Sequence, residues 1–429
     1  MKSPLALYGG KKIRSKPFAP HPVMGPEEKK QVLSVLKTGK LSGFLASPGD
    51  SFLGGPKVKE LEAAFRTYFK VEHAVAMNSA TANLHGALAA LGVGPGDEVL
   101  VPPYTMCASA SAILMCGAIP VFVDIEPDTF CMDPKKIEAR VSPQTKAVVV
   151  VHLYGQPADM DPIMAIAKKH KLKVVEDCAQ SPKAKYKGRY AGTIGDIGVF
   201  SLNQNKTITT GEGGVAVTRD ARLALRMQLI RNHGEVVVDH LPDAKGLPCL
   251  GWNYRMTELE ASVGIAQFRK LDKLTAHRVK LAGYLGKKLA AAEGLTMPVT
   301  RQGCTHVYFV YPVRYDRQKT GIPSRLFVKA LGAEGVTFGA GYVRPIYLDS
   351  IYQNRRIYDN SHFPFDRVSA KNRDNYQKGS CPVTERLHNE GLILTGLCRY
   401  PLTTRDMDDV ARAVFKVLKN GEKLLSDGR

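Results

Sequence analysis

Between about residues 55 and 220, short apolar runs alternate with segments of helical spacing, and this alternation restricts the possible folds more than any other feature. The candidate strands are His73–Met77, Glu98–Val101, Pro120–Asp124, Ala147–Leu153, Lys173–Asp177, Ile197–Leu202 and Val215–Thr218. Several are continuous Val/Ile-rich runs, the pattern of strands buried on both faces. Between them Leu84, Ala87, Leu88 and Leu91, and again Ile163, Ile166 and Ala167, recur at helical spacing, with Asp161–Pro162 as a helix start. Strand and helix in repeated succession predict βα units, hence an α/β fold with a mostly parallel central sheet flanked by helices.

After about residue 258 the character changes. A helical stretch from Glu258 to about Glu293 runs through Leu271, Leu274, Val279, Leu285 and Leu289 and meets no strong breaker before Gly294, so it reads as a connector into a second lobe. Beyond it, His306–Pro312, a helix near Ser324–Glu334, a Tyr/Pro/Arg-rich loop over Gly339–Tyr352 and a final helix Thr404–Lys419 predict a smaller α+β domain. The expected division is residues 1–265 for the large domain, including the N-terminal segment, and 266–429 for the small one. Asn354 to Gly379 carries no periodicity. A chain of 429 residues, 44% of them hydrophobic, has ample material for two such cores.

Sixty Lys and Arg face forty Asp and Glu, a formal charge of +20, but the basic residues recur along the whole chain instead of forming one block with interleaved aromatics. That pattern predicts a solvated basic surface and a positive cleft suited to dicarboxylate amino acids or phosphorylated substrates, not a nucleic-acid partner. The eight cysteines at 107, 116, 131, 178, 249, 304, 381 and 398 form no C-x-x-C pair, which predicts reduced thiols and no metal site. The opening MKSPLALYGGKKIRSK lacks a signal-peptide core, and no uncharged apolar run reaches spanning length. A soluble, cytoplasmic protein without a membrane partner is the expectation.

Two glycine-rich stretches are not nucleotide loops. Gly92-Val-Gly-Pro-Gly96 follows a helix and precedes a strand, the reverse of the dinucleotide order, and nothing matches G-x-x-x-x-G-K-[ST]. Met77-Asn-Ser-Ala-Thr-Ala-Asn-Leu84 is more informative: a strand ends, hydroxyl residues follow and a helix starts at once. The free N–H groups of a helix start with the hydroxyls of Ser79 and Thr81 make an anion cradle, and an ordinary Ser/Thr cap is the equal alternative. Val174-Val-Glu-Asp-Cys-Ala-Gln180 puts Asp177 at the carboxyl end of a strand, where open α/β sheets bind ligands. Then Phe200-Ser-Leu-Asn-Gln-Asn-Lys-Thr-Ile-Thr-Thr-Gly-Glu-Gly-Gly214 sets Lys206 in a polar loop between two buried strands. An anion cradle, a strand-end acid and a lysine between strands are what pyridoxal 5′-phosphate requires for its phosphate, its ring nitrogen and its aldehyde.

The runs VEDCAQS, FSLNQNKTITTGEGG, VHLYGQPADMDPI and GWNYRMTELEA, in this order over essentially the whole chain, resemble the landmarks of the DegT/StrS family of sugar aminotransferases. The resemblance implies a fold type I aminotransferase that uses pyridoxal phosphate. Position by position it implies Lys206 as the Schiff-base lysine and proton shuttle, Asp177 as partner of the pyridinium nitrogen and Gln180 beside the phenolic oxygen. It places Ala80 and Thr81 on the phosphate turn next to Ser79, Ser201 as a phosphate-binding serine, and Asn253 as an asparagine reaching the phosphate of a neighbouring subunit, hence a homodimer with shared sites. The family's aromatic stacking position falls on Met106 in Pro102-Pro-Tyr-Thr-Met106, and whether Met106 or Tyr104 covers the ring stays open. So do the roles of His152, Tyr154, Arg231, His233 and Arg344.

The implied reaction moves an amino group from glutamate or glutamine to a ketone on a nucleotide sugar or a cyclitol. The opening Leu5–Pro17 resembles members that aminate inososes, whereas family breadth favours nucleotide sugars. Two rivals stand beside this reading. One is a dehydrating or aromatising lyase on the same fold, of which the sugar dehydratases carry histidine at the position of Lys206. The other is a non-enzymatic regulator, which lacks support from any separate helix-turn-helix segment.

Overall fold

A computed structural model describes residues 4–426. Its large sheet holds β1 (His73–Met77), β2 (Glu98–Val101), β3 (Ile119–Phe122), β4 (Thr145–Val151), β5 (Lys173–Asp177), β8 (Ile197–Ser201) and β9 (Gly214–Thr218), in the order β1-β9-β8-β5-β4-β2-β3. Strands β3, β2, β4, β5 and β8 pair in parallel, and β9 alone runs opposite to both its neighbours, β8 and β1. Each predicted strand is present, three with the expected ends and the others with ends shifted by one or two residues. The Val/Ile runs sit where both faces are covered: Val148, Val149, Val150, Val174 and Val175 are at most 1% exposed. Between β5 and β8 the short strands β6 (Lys185–Tyr186) and β7 (Arg189–Tyr190) form a hairpin to which β11 (Cys304–Thr305) adds.

The helices α1 (Pro26–Leu36), α2 (Pro56–Phe69), α3 (Ala80–Ala90), α4 (Ala108–Met115), α5 (Met160–His170) and α6 (Ala221–Arg231) belong to this part of the chain. Helix α3 packs against α4 and α6. Helix α2 meets the sheet through an aromatic layer in which Phe69 stacks on Phe200 at 4.4 Å and Phe65 on Phe268 at 4.3 Å. These rings interdigitate in the compact, offset manner that aromatic quadrupoles favour.

The long helix expected from Glu258 to Glu293 is two helices, α7 (Glu258–Phe268) and α8 (Leu271–Leu289). No glycine or proline divides them; tertiary packing does. Helix α7 packs on α1 and α2 in the first domain, α8 on the helix Thr404–Lys419 in the second, and one straight rod cannot serve both. At the break, Lys270 Nζ reaches Glu27 at 3.2 Å and Glu28 at 2.7 Å, fixing the turn to α1. The second domain is an antiparallel sheet β10 (Leu295–Thr296), β12 (Tyr311–Tyr315), β14 (Leu392–Thr395) and β13 (Gly339–Ala340), ordered β10-β12-β14-β13, whose core includes Leu281, Leu285, Phe327, Val410 and Val414.

The two cores do not follow a single cut at 265/266. Leu5 is buried in the second core, while Ile346, Tyr347, Tyr352, Phe365, Tyr376 and Leu387 are buried in the first. The aperiodic segment 354–379 lies on the edge strand β3. Asn375 Nδ2 donates to the carbonyl of Phe122 at 2.9 Å, its Oδ1 accepts from the Phe122 N–H at 2.5 Å, and the Tyr376 hydroxyl donates to the carbonyl of Pro120 at 2.8 Å. Side chains thus satisfy backbone groups that an exposed edge would leave open. Among the described residues no helix is long and apolar enough to cross a membrane.

One buried ion pair ties β1, α2 and α6 together. Arg231, fully buried, donates to Glu62 Oε1 at 2.7 Å and to the carbonyls of Ala76 and Leu53 at 3.1 and 3.2 Å. Burial raises the Glu62 carboxyl above its ordinary range, against the opposing pull of the Arg231 charge. Arg231→Leu should therefore lower unfolding free energy by roughly 3–5 kcal/mol in a denaturant titration, and Glu62→Leu in the same chain should recover part of it. Equal losses in the single and double variants would contradict the pairing.

Candidate functional site

The site forms at the carboxyl ends of β1, β5 and β8. Asp177 ends β5 and pairs in register with Val199 of β8, so the loop leaving β8 carries Lys206 over the same edge. Asp177 is 4% exposed; its Oδ1 accepts from the Ala179 N–H at 3.0 Å and its Oδ2 from the Ser109 hydroxyl at 2.8 Å. A carboxylate has about four lone-pair sites, so these two bonds hold it in place and leave capacity for a further N–H donor.

Lys206 is half-buried, and among the described residues its Nζ has no hydrogen-bond acceptor or ion-pair partner; it lies 4.8 Å from the centre of the Phe309 ring. Burial lowers its pKa from the ordinary 10.5, and the nearby Asp177 carboxylate pulls the other way. Burial thus favours the neutral, nucleophilic form of this amine more than exposure to solvent would.

Gln180 is placed by two bonds: Oε1 accepts from the Tyr154 N–H at 2.8 Å and Nε2 donates to the Tyr342 hydroxyl at 2.9 Å. Tyr154 adopts φ +58°, sparsely populated for a bulky residue, and its carbonyl accepts from the Phe309 N–H at 2.8 Å. Gln180, Tyr154, Phe309 and Lys206 are therefore one contiguous wall.

The opposite end is the start of α3. Ser79 caps it, its Oγ accepting from the Ala82 N–H at 3.0 Å, which leaves the amides of Ala80 and Thr81 without an intrahelical acceptor at the positive end of the helix dipole. Gly214 abuts this turn, and a Cβ there would fall 2.6 Å from the Ala80 nitrogen. Gly214 also pairs with Ser201, which brings that serine to the cradle. The cap is formed by Ser79, and two open amides lie beside it in the same turn.

Met106 is 55% exposed, whereas Tyr104 is 1% exposed with its hydroxyl accepting from the Tyr342 N–H at 2.8 Å. Only Met106 has a free side to offer a ligand. Asn253 is exposed, and its Oδ1 accepts from Arg255 Nε at 2.9 Å. Arg344 is also exposed. His233 lies 3.9 Å from Glu235. Arg231, as described, is an internal strut away from solvent.

His152 holds the strand beneath the site. Its Nδ1 accepts from the Ala158 N–H at 3.0 Å, so the proton resides on Nε2, which donates to Glu176 at 2.9 Å. Burial of Glu176 opposes ionisation, but hydrogen bonds from His152 and from the Gly195 and Gly192 amides reverse this and lower its pKa. Cys178 lies in the same buried group, its thiol pushed up by burial.

Sequence reading missed Ser109, Tyr342 and Phe309 as parts of the site. Ser109 sits in an Ala/Ser-rich helix start that gives it no distinction from Ser111, and its burial and its bond to Asp177 emerge only in the fold. Phe309 follows Tyr308, at φ +51°, in a run that reads simply as a strand.

The model of the DegT/DnrJ/EryC1/StrS aminotransferase family matches residues 44–415. The chain belongs to this family. It is 36% identical, over 98% of its length and 99% of the relative's, to the L-glutamine:2-deoxy-scyllo-inosose aminotransferase of Streptoalloteichus tenebrarius. It is 45% identical to the GDP-perosamine synthase of Caulobacter vibrioides over 61% of this chain and 69% of that protein. The solved structure of DesI in the presence of its TDP-sugar product superposes with a TM-score of 0.83 at 27% identity, covering the whole of both chains. The protein is a sugar or cyclitol aminotransferase of fold type I, from a family that works with pyridoxal phosphate.

Because burial penalises the charged form of Lys206, this aminotransferase should release that proton at lower pH than an ordinary lysine does. Acylation of Lys206, followed by peptide mass spectrometry over a pH series, should show a midpoint below 10.5. A midpoint at or above that value would contradict the burial argument.

Proposed function

We propose that this chain binds pyridoxal 5′-phosphate through Lys206 and transfers an amino group from glutamate or glutamine to a ketone on a nucleotide sugar or cyclitol. The observation that carries this reading is the unpaired amine of Lys206 close to the anchored carboxylate of Asp177. The donor set suits the cofactor at each end: an amine free to condense, a carboxylate with spare lone pairs, and two open amides at a helix start facing the hydroxyl side.

When bound, the cofactor supplies an electron sink conjugated to the nitrogen being transferred. Asp177 would hold the ring nitrogen protonated, with Ser109 and the Ala179 amide keeping the carboxylate in place. Lys206 would carry the proton between Cα of the donor and the cofactor's aldehyde carbon, and its burial favours the neutral form that such a base requires. The open Ala80 and Thr81 amides with Ser79 and Ser201 would hold the phosphate, Gln180 would serve the phenolic oxygen, and the exposed thioether of Met106 would offer a polarizable surface to the ring. Asn253, exposed on one protomer, would reach the phosphate of a second copy in a homodimer.

Lys206→Ala should abolish both the lysine-dependent absorbance of the bound cofactor and turnover. Asp177→Asn should retain the absorbance and lose on the order of 10²-fold or more in kcat, the scale of removing one preorganised electrostatic partner. Stoichiometric release of 2-oxoglutarate from glutamate identifies transamination; a lyase releases none. A Lys206→Ala protein that keeps turning over without added amine would defeat the assignment.

The shared-site reading has its own test. Lys206→Ala chains mixed with Asn253→Ala chains under subunit exchange should regain activity above either parent, since one site in the hybrid is then whole. No gain in demonstrated hybrids would remove Asn253 from its neighbour's site.

A further inference from the structure

Next to the lysine loop lies an open cleft of about 580 Å³, lined by residues of both domains that include His21, Asn205, Arg278, Phe309, Thr337 and Arg399. Among the described residues no aspartate or glutamate lines it. Arg278, on α8, is 3% exposed and donates through Nη1 to the carbonyls of Phe309 at 3.1 Å and Tyr308 at 3.5 Å. The Nε of Arg399 is buried without a hydrogen-bond partner. His21 places Nε2 3.2 Å from the Lys206 carbonyl, and its Nδ1 is likewise buried without a partner. Among the described residues none of the three forms an ion pair.

Burial of a guanidinium without a counter-charge is costly, and two together repel. The consequence is visible in the groups themselves. Arg278 is pushed down to about 10 by burial and then by the charge of Arg399, and His21 to about 4 by burial and then by Arg278, with Arg399 adding to it. Such a set stays in place when something else supplies the negative charge. The cleft adjoins the reacting amine on two sides, since His21 contacts the Lys206 backbone and Phe309 lines the cleft while its ring lies under Nζ.

We propose that Arg278 and Arg399 form a binding site for an oxyanion, a carboxylate or a phosphate, carried by one of the enzyme's two substrates. The proposal rests on Lys206 being the reacting amine. A planar guanidinium with five N–H donors matches either oxyanion bidentately, and Arg278 still has donors beyond those given to the two carbonyls. An amino donor would bring a carboxylate and a nucleotide sugar a diphosphate. Either anion, held here, would hold its substrate beside the lysine loop.

The test uses the protein loaded with pyridoxal phosphate, titrated calorimetrically with 2-oxoglutarate and, separately, with GDP. The wild type should bind at least one of them, and Arg399→Gln should raise the Kd of that ligand about tenfold or more, as expected for loss of a charge-assisted hydrogen-bonding partner. Arg399→Lys, which keeps the charge but not the fork, should lose less. Sensitivity of the 2-oxoglutarate arm assigns the site to the carboxylate, and sensitivity of the GDP arm to the phosphate. Binding of neither by the wild type, or equal binding by wild type and Arg399→Gln, would overturn the proposal. Arg278→Lys provides a second variant should Arg399→Gln fold poorly. Failure of the Lys206 reading would be distinct: wild-type protein would then lack the lysine-dependent absorbance, whatever the titrations show.

Discussion

The structure turns on a lysine and an aspartate delivered to one edge by neighbouring strands. Strands β5 and β8 pair in parallel, so both chains exit on the same side, and the acid ending the first lies beside the loop leaving the second. Parallel pairing of this kind needs a connection that returns the chain to its starting edge, here the hairpin β6–β7 and its approaches. The same topology puts the N-terminus of α3 at that edge, because β1 runs parallel with β8 across the single reversed strand β9. The open end of α3, the acid and the amine therefore converge through strand direction, before any side chain is chosen.

What side-chain choice adds is alignment. Asp177 is held by Ser109 and the Ala179 amide, Gln180 by Tyr154 and Tyr342, and the floor under β5 by the His152–Glu176 pair. Lys206 stands out among these groups in having no polar partner. The acid and the amide are thus anchored by their neighbours, while the lysine amine is left free to meet a ligand.

Much of the large sheet was legible in the residues. Continuous valine runs such as Val148–Val151 have one stable location, between two layers of helix, and their ends then position Asp177 and Lys206. The division of Glu258–Glu293 into two helices was not legible, since the sequence Phe268-Arg-Lys-Leu271 is good helix and the break comes from what each half packs against. Nor was segment 354–379, which attaches to β3 through isolated side chains such as Asn375 and Tyr376 that leave no period. Ser109 was hidden for a related reason: its meaning depends on a partner 68 positions away.

The chain passes between its two cores more than once: Leu5 starts in the second, the strands follow in the first, α8 returns to the second, and residues 346–387 go back to the first before Thr404–Lys419 ends in the second. Neither lobe is a detachable bead on a string. Neither core is built from one contiguous stretch of chain, so a fragment ending at 265 would leave out residues 346–387, which cover the first core, and a fragment beginning at 266 would lack Leu5, which fills the second.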